Sequence, residues 1–290
     1  MELCLYEGYV DSDPAALGSN GLPISPKVNN NYELASCSDG KSHKIDVERK
    51  LVGGAYNTMF LPFGINGQGS VQKDDNGNYI PGSGKCGKRR YLEQVVDDQG
   101  NKLLDPDKTS ILVFDNATVE TVGGEDVISF NFHEYAETDS LETLGVYQPI
   151  LIKPENDITT RMHFWSALMW KPATPKARTD ASQANVEGAL APTMLPVNSE
   201  YDNTLILVAD NRLAKVTTQG EMLGLRLYFT VPKDVSPSAR SIIRVNNAPT
   251  GIDDIPTRGQ SASAIKILRN GQIYILRDGK VYTITGNRVR

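Results

Sequence analysis

Two tryptophans in the segment RMHFWSALMW, Trp165 and Trp170, are the side chains of this chain best suited to recognition chemistry at a surface. An indole offers a flat apolar face with a polar edge, and exposed aromatic platforms of this kind are what carbohydrate binding requires. Residues five apart on a strand point to opposite faces, so at most one of the two meets a ligand, with Tyr135 or Tyr147 nearby, and the other belongs to the core. Core packing is the default expectation for Phe164 and Trp165.

Oxygen ligands gather in two turn-rich segments, DDNGN (74–78) and DDQGNKLLDPD (97–107), which suit a structural calcium held by Asp74, Asn76, Asp105 and Asp107. Neither segment has the twelve-residue loop with a terminal Glu, and Asx-rich turns between strands need no ion. No other cofactor is implied. The three histidines, His43, His133 and His163, lie far apart without a second ligand at metal-site spacing, which reads as surface or satisfied core histidines. His133 and Glu134 sit on one strand, where alternation separates them to opposite faces, so they do not form a base and its orienting carboxylate.

The segment GSGKCGKR (82–89) fits G-x-x-x-x-G-K, but Arg89 stands where a phosphate loop needs Ser or Thr for Mg²⁺. The preceding NGNYIP is neither long nor apolar enough for the buried strand such a loop follows, so a solvated basic loop is expected. There is no Gly-x-Ser-x-Gly elbow, a Cys86 nucleophile lacks an assignable His, and nothing singles out two glycosidase carboxylates among 35 acids. No catalytic residue is assigned.

The elements that would position these groups are strands. Alternation begins at Ile45 and Val47, turns at Gly53-Gly54 and resumes through Met59, Phe60, Leu61 and Phe63. SILVFDNATVETV, DVISFNFHEY, YQPILIKP, RMHFWSALMW, DNTLILVAD, RLAKVTT, MLGLRLYFTVP and SIIRVNNA follow, each bounded by turn formers. Many short strands with almost no helical period predict an all-β fold, a sandwich of jelly-roll or immunoglobulin-like character. The expected organisation is a loop-rich segment over 1–45 and a sandwich over 46–248, with a polar insertion at 66–108 carrying one helix from Lys88 to Asp97. A Pro, Ala and Ser-rich connector covers 171–200 and a linker covers 249–263. Residues 264–290 form a small β-meander, its hairpin turns at Asn270-Gly271 and Asp278-Gly279. The tail from Ile265 carries six Lys and Arg against one Asp, while the whole chain of 290 residues is −5.

With 39% apolar and 22% charged residues the composition is that of a globular protein, and no apolar run approaches the eighteen or so residues of a membrane span. A mildly acidic body argues against nucleic-acid binding, which needs dense Lys and Arg. Three widely spaced cysteines, Cys4, Cys37 and Cys86, exclude a disulfide scaffold and select no pair. MELCLYEGYVDSDP has no basic segment leading into an apolar stretch, so no signal peptide is expected in this chain.

DVERKLVGGAYNTMFLPFGI (46–65) resembles a segment recurring in surface proteins of gut and oral Bacteroidetes, in which a strand ending in Arg and Leu precedes a glycine turn, an aromatic, Asn-Thr and Leu-Pro-Phe. YQPILIKP and MLGLRLYFTVP are similar to two further strands of that family, and TGIDDI and VYTITGNRVR to its linker and C-terminal end. The resemblance implies an adhesin-like β-sandwich, secreted or at the cell surface, with no catalytic inventory. Some members carry Cys before Leu-Pro-Phe, where this chain has Phe60. The tail resembles a short C-terminal sorting segment, which implies outer-membrane attachment; its alternation and two glycine turns fit equally an extra hairpin docked on the sandwich. The expected function is non-enzymatic binding of a glycan or a host surface protein; the alternatives are a carbohydrate-active enzyme or its carbohydrate-binding domain, and an assembly subunit pairing through edge strands.

Overall fold

Glycine, proline and aspartate recur every few residues along this chain and favour short strands over long helices; the computed structural model has nearly all its described elements as strands, with one six-residue helix, Lys88–Glu93, described in full among them. It describes residues 3–11, 27–32, 41–65, 87–122, 125–136, 147–169, 184–197, 202–208, 211–232, 240–245, 248–249, 255–256, 265–269, 272–277, 280–283 and 288–289. The strands are β1 (Leu3–Tyr6), β2 (Val10–Asp11), β3 (Lys27–Val28), β4 (Lys41–Glu48), β5 (Asn57–Met59), β6 (Gly64–Ile65), and, after helix α1 (Lys88–Glu93), β7 (Val95–Val96), β8 (Ser110–Val122), β9 (Glu125–Glu134), β10 (Ile150–Lys153), β11 (Met162–Met169) and β12 (Asn185–Ala189). They continue as β13 (Thr193–Met194), β14 (Asp202–Val208), β15 (Arg212–Lys215), β16 (Glu221–Met222), β17 (Arg226–Pro232), β18 (Arg240–Val245), β19 (Ala248–Pro249), β20 (Ile255–Pro256), β21 (Ile265–Arg269), β22 (Gln272–Arg277), β23 (Lys280–Thr283) and β24 (Arg288–Val289).

Three sheets build the body as an all-β, sandwich-like fold. The first runs β1-β4-β11-β6, with β7 also on β11; the second runs β19-β18-β9-β8-β10-β5; the third runs β12-β17-β14-β15. Most pairs are antiparallel, but β1 lies parallel to β4 and β18 parallel to β9. All three contribute to one core: Ile45, Val47 and Phe164 from the first, Val113, Phe130 and Ile152 from the second, Leu205, Leu227 and Phe229 from the third. Phe130 and Phe229 meet edge to face at 4.9 Å, a geometry that adds to the burial of both rings. In β10, Ile150, Leu151 and Ile152 are all buried, as expected of a strand covered on both faces.

The glycine turn after β4 carries the chain between sheets, since β4 belongs to the first and β5 to the second. Gly53 lies against the backbone of Asn156, leaving 2.5 Å for a Cβ, and Gly54 has φ 70°, where a side chain is strained. Gly54 N–H donates to Pro154 O at 2.8 Å and pins the corner.

Within the loop-rich 1–45 segment, Leu3–Tyr6 is an edge strand that pairs with β4 and buries Leu5. Three expectations are corrected. The insertion at 66–108, whose polar composition suggests decoration rather than core, contributes to the core where it is described: Tyr91, Leu92, Val95 and Leu104 are buried, and Tyr91 packs on Phe164 at 6.3 Å. Its helix stops at Glu93 rather than Asp97, since Val95 and Val96 find strand partners in Phe164 and His163, and β-branched residues favour that pleated surface. The connector at 171–200 contains β12, in which Gly188 lies under the Phe60 ring, 2.3 Å from where a Cβ would stand.

Two compact units result, Met1–Ile255 and Pro256–Arg290. The second is an antiparallel sheet in the order β21-β22-β23-β24. Arg269 is opposite Gln272 and Arg277 opposite Lys280, the register of two-residue hairpin connections. The last of the three expected runs is two described strands, β23 and β24, paired antiparallel with Val281 opposite Val289 and Tyr282 opposite Arg288.

Candidate functional site

The first sheet buries one face and exposes the other. Ile45, Val47, Met162 and Phe164 are in the core, so alternation sends Lys44, Asp46 and Glu48 of β4, and His163 and Trp165 of β11, to the opposite face. Asp46 and His163 are register partners, and His163 Nδ1 meets Asp46 Oδ1 at 2.6 Å. On its other side Nε2 meets Asp98 Oδ1 at 2.6 Å, from the turn that follows β7. One imidazole therefore stands between two carboxylates. Burial opposes its charge, but the hydrogen bonds to Asp98 and Asp46 and their negative charge outweigh that and hold the His163 pKa above its ordinary value.

Around this triad lies a cleft of about 220 Å³ lined by Lys44, Asp46, Asp97, Asp98, His163 and Trp165. Trp165 is 49% exposed, and Lys44 Nζ lies 3.6 Å from its ring centroid, a cation–π contact. Asp97 holds the turn: its carboxylate accepts from Gln99 N–H at 2.9 Å, Asn101 N–H at 2.8 Å and Asn101 Nδ2 at 3.0 Å, with Asn101 holding its pKa below the usual carboxylate range.

The network continues along the same face. Arg161 donates to Glu48 Oε1 through Nη2 at 2.5 Å and Nε at 3.1 Å, and its Nη1 is 3.5 Å from Asp46 Oδ2. Its pKa is raised, chiefly by the bond to Glu48. Beyond it a groove of about 330 Å³ is lined by Tyr6, Tyr9, Glu48, Lys50, Thr160 and Arg161. On β1, burial pushes the Cys4 thiol up to about 11, and the hydrogen bond with Cys4 raises Tyr6 to about 12. Neither ionises near neutral pH.

Trp165 departs from the core expectation: Phe164 takes the inward position at 1% exposure, and alternation sends Trp165 out. Trp170 lies outside the described residues. Tyr135 is fully buried in the core and cannot serve as a platform beside Trp165. Tyr147 is half-buried with φ 52° and packs against Phe60 at 5.8 Å, which spends its ring on packing. Among the metal candidates, Asp74 and Asn76 lie outside the described residues. Asp105 Oδ1 accepts from Asp107 N–H at 2.9 Å, Asp107 pairs with Arg89 at 2.7 Å, and Lys108 joins Glu155 at 2.9 Å. These two carboxylates close an Asx turn and an ion pair, and among the described residues no three His, Cys, Asp or Glu form a group that could hold a metal ion. Cys4 is free and buried, and Cys37 and Cys86 lie outside the described residues. Arg89 of the GSGKCGKR segment sits on α1, which leads into a mostly antiparallel sheet rather than a parallel α/β one. His133 is paired, its Nδ1 2.6 Å from Asp115 Oδ1, and Asp115 sits where β8 bulges against β9.

Sequence reasoning did not assign Lys44, Asp46, Asp98 or His163. The alternation at Ile45 and Val47 implied that Lys44, Asp46 and Glu48 share the outer face. Only the β4–β11 register, which separates Asp46 from His163 by 117 positions, brings them to one point.

Among the described residues no helix is long and apolar enough to cross a membrane. No family model, curated protein or solved structure matches the chain.

Proposed function

We propose that the protein is a non-enzymatic, surface-exposed binding module that takes a glycan on the Trp165 cleft. The observation that carries this reading is the half-exposed indole on β11, flanked by Asp46, Asp98 and His163. An indole face supplies stacking area, and fixed carboxylates accept hydrogen bonds from hydroxyl groups. The cross-strand ion pairs hold these groups in place before a ligand arrives, which lowers the ordering cost of binding. The surface location is supported by the likeness of the 46–65, 147–154 and 222–232 segments to Bacteroidetes surface proteins, and the basic strands of 265–289 are proposed as an attachment element.

One observation favours a second reading, a carbohydrate-active enzyme: three aspartates share the cleft with an exposed tryptophan. Their partners weigh against it. His163 occupies the space between Asp46 and Asp98, where a glycosidase keeps its substrate and water, and Asp97 is consumed by its turn.

The test is a glycan array followed by calorimetric titration of the best hit, with product analysis by chromatography, on the full chain and on Trp165→Ala. Binding should fall at least tenfold in the variant, with no new sugar product from either protein. Hydrolysis abolished by Asp98→Asn would establish the enzyme reading instead, and unchanged binding by Trp165→Ala would remove the cleft from consideration. Protease shaving of cells expressing the chain with and without 265–290 tests the attachment role, which requires surface exposure to be lost on truncation while the body stays folded.

A further inference from the structure

Beside the Gly53-Gly54 corner lies a cavity of about 350 Å³ whose lining includes Arg49, Val52, Tyr56, Leu207, Val208 and Arg226. It shares no residue with the Trp165 cleft. Arg49 is 3% exposed, among the most buried charged side chains described. Its Nη1 donates to the carbonyl of Leu225, a neutral acceptor, and its Nε has no hydrogen-bond partner among the described residues. The second guanidinium, Arg226, pairs with Glu7 through Nη2 at 2.6 Å, and its Nε is likewise unpartnered among the described residues. Two cations thus face one carboxylate.

A buried guanidinium keeps its proton, so an imbalance of this kind is expensive unless an anion completes it. Burial, with Arg226 adding to it and Glu7 opposing, lowers the Arg49 pKa to about 9. One charge of each sign acts on the lining residue Tyr56: Lys153 Nζ lies 5.5 Å from its ring centroid, and burial and then the Glu134 carboxylate raise its pKa. The backbone that feeds the site is strained: Leu225, buried and not glycine, has φ 59°, and its carbonyl accepts from both Phe60 N–H, at 3.1 Å, and Arg49. Strain of this kind persists where surrounding contacts fix it, and it aims the Leu225 carbonyl at the guanidinium.

We propose that the Arg49–Arg226 cavity is a binding site for an oxyanion, the carboxylate, sulfate or phosphate group of a small ligand whose apolar face lies on Val52, Leu207 and Val208. The guanidinium fork matches two oxygens of such a group, and one negative charge balances the pair against Glu7. The aliphatic wall excludes a large hydrated polyanion, and the volume falls at the small end of ligand pockets.

The experiment is a titration of the full chain with sulfate, phosphate and glucuronate at constant ionic strength, with chloride as reference, reading the arginine Nε–H resonances by NMR together with thermal stability. A saturable shift of two arginine resonances with at least one of the three anions is expected, with a rise in Tm that chloride does not give. Arg49→Met removes the buried charge while keeping an unbranched apolar side chain of similar length, and it should weaken the same titration at least tenfold; Trp165→Ala should leave it unchanged. Which anion saturates at the lowest concentration separates a sugar carboxylate from a sulfate or phosphate ester. If no arginine resonance responds saturably, or if Arg49→Met titrates like the parent, the site does not exist. The resonance readout uses the unaltered protein, so it decides the matter even if Arg49→Met fails to fold.

Discussion

Replacing His163 by leucine tests the logic of the polar sheet face, because the consequence depends on pH in a direction the structure dictates. The variant removes the donor shared by Asp46 and Asp98. The Asp46 side chain is 8% exposed, so its carboxylate cannot recover the lost bond from water, and a hydrogen bond to a charged group contributes about 1.5–3 kcal/mol. Asp98 is 61% exposed and is resolvated, so its share is about 0–1 kcal/mol. Arg161, with Nη1 3.5 Å from Asp46 Oδ2, partly compensates and keeps the total at about 2–3 kcal/mol. At roughly 2–4 °C per kcal/mol for a body of this size, Tm should drop by about 4–12 °C at pH 5.5. The folded imidazole has a raised pKa, so its charge-linked stabilisation is fully present below the ordinary histidine value of about 6.5 and is lost as pH rises through the higher folded value. Urea melts of parent and variant at pH 5.5 and pH 9 should therefore show a gap that narrows at the higher pH. A gap of equal size at both pH values, or one that widens toward pH 9, would refute the argument that His163 is held as a cation between two carboxylates.

Two further outcomes follow from packing and burial. Gly53→Ala should cost about 1–3 kcal/mol, since its Cβ would stand 2.5–2.7 Å from the Asn156 and Asp157 backbone; Gly8→Ala, with no atom within 4 Å, should stay within about 0.5 kcal/mol of the parent in the same denaturant melts. Cys4, with its thiol pushed up to about 11 by burial, should resist iodoacetamide at pH 8 in the native protein and be alkylated once urea unfolds it, as peptide mass spectrometry would report.

Long strands were legible because their alternation was uninterrupted. SILVFDNATVETV is β8 from end to end, and β9 and β11 follow the expected segments closely. What escaped was whatever depends on a distant partner. Leu3–Tyr6 is too short to show a period and is a strand only because β4 lies alongside it. NVEGA looks like connector, since Gly188 and Ala189 have little strand preference, yet the glycine is what lets Phe60 settle onto β12. Core packing is the default expectation for both Phe164 and Trp165, although neighbours on one strand face opposite ways, and only Phe164 takes the inward position. The cleft itself was invisible for the same reason. Asp46 and His163 become neighbours through a register that no local pattern encodes, and Asp98 reaches them only because Val95 and Val96 leave the helix to join the sheet.

The parallel pairing of β18 with β9 sets a limit on how this chain acquires its shape. Arg240 lies beside Val127 and Val245 beside Phe132, so that flank of the second sheet stays open until more than a hundred further residues have been laid down. Closing so long a loop costs entropy before any contact rewards it, and pairings of this kind fold slowly. During synthesis the β8–β9 hairpin therefore forms early and waits with one edge unpaired, a state in which it can be captured by whatever strand arrives first. Refolding from denaturant should be slow and concentration-sensitive for that reason, and a chaperone that shields the β9 edge should raise the yield of native protein more than one that only binds exposed side chains.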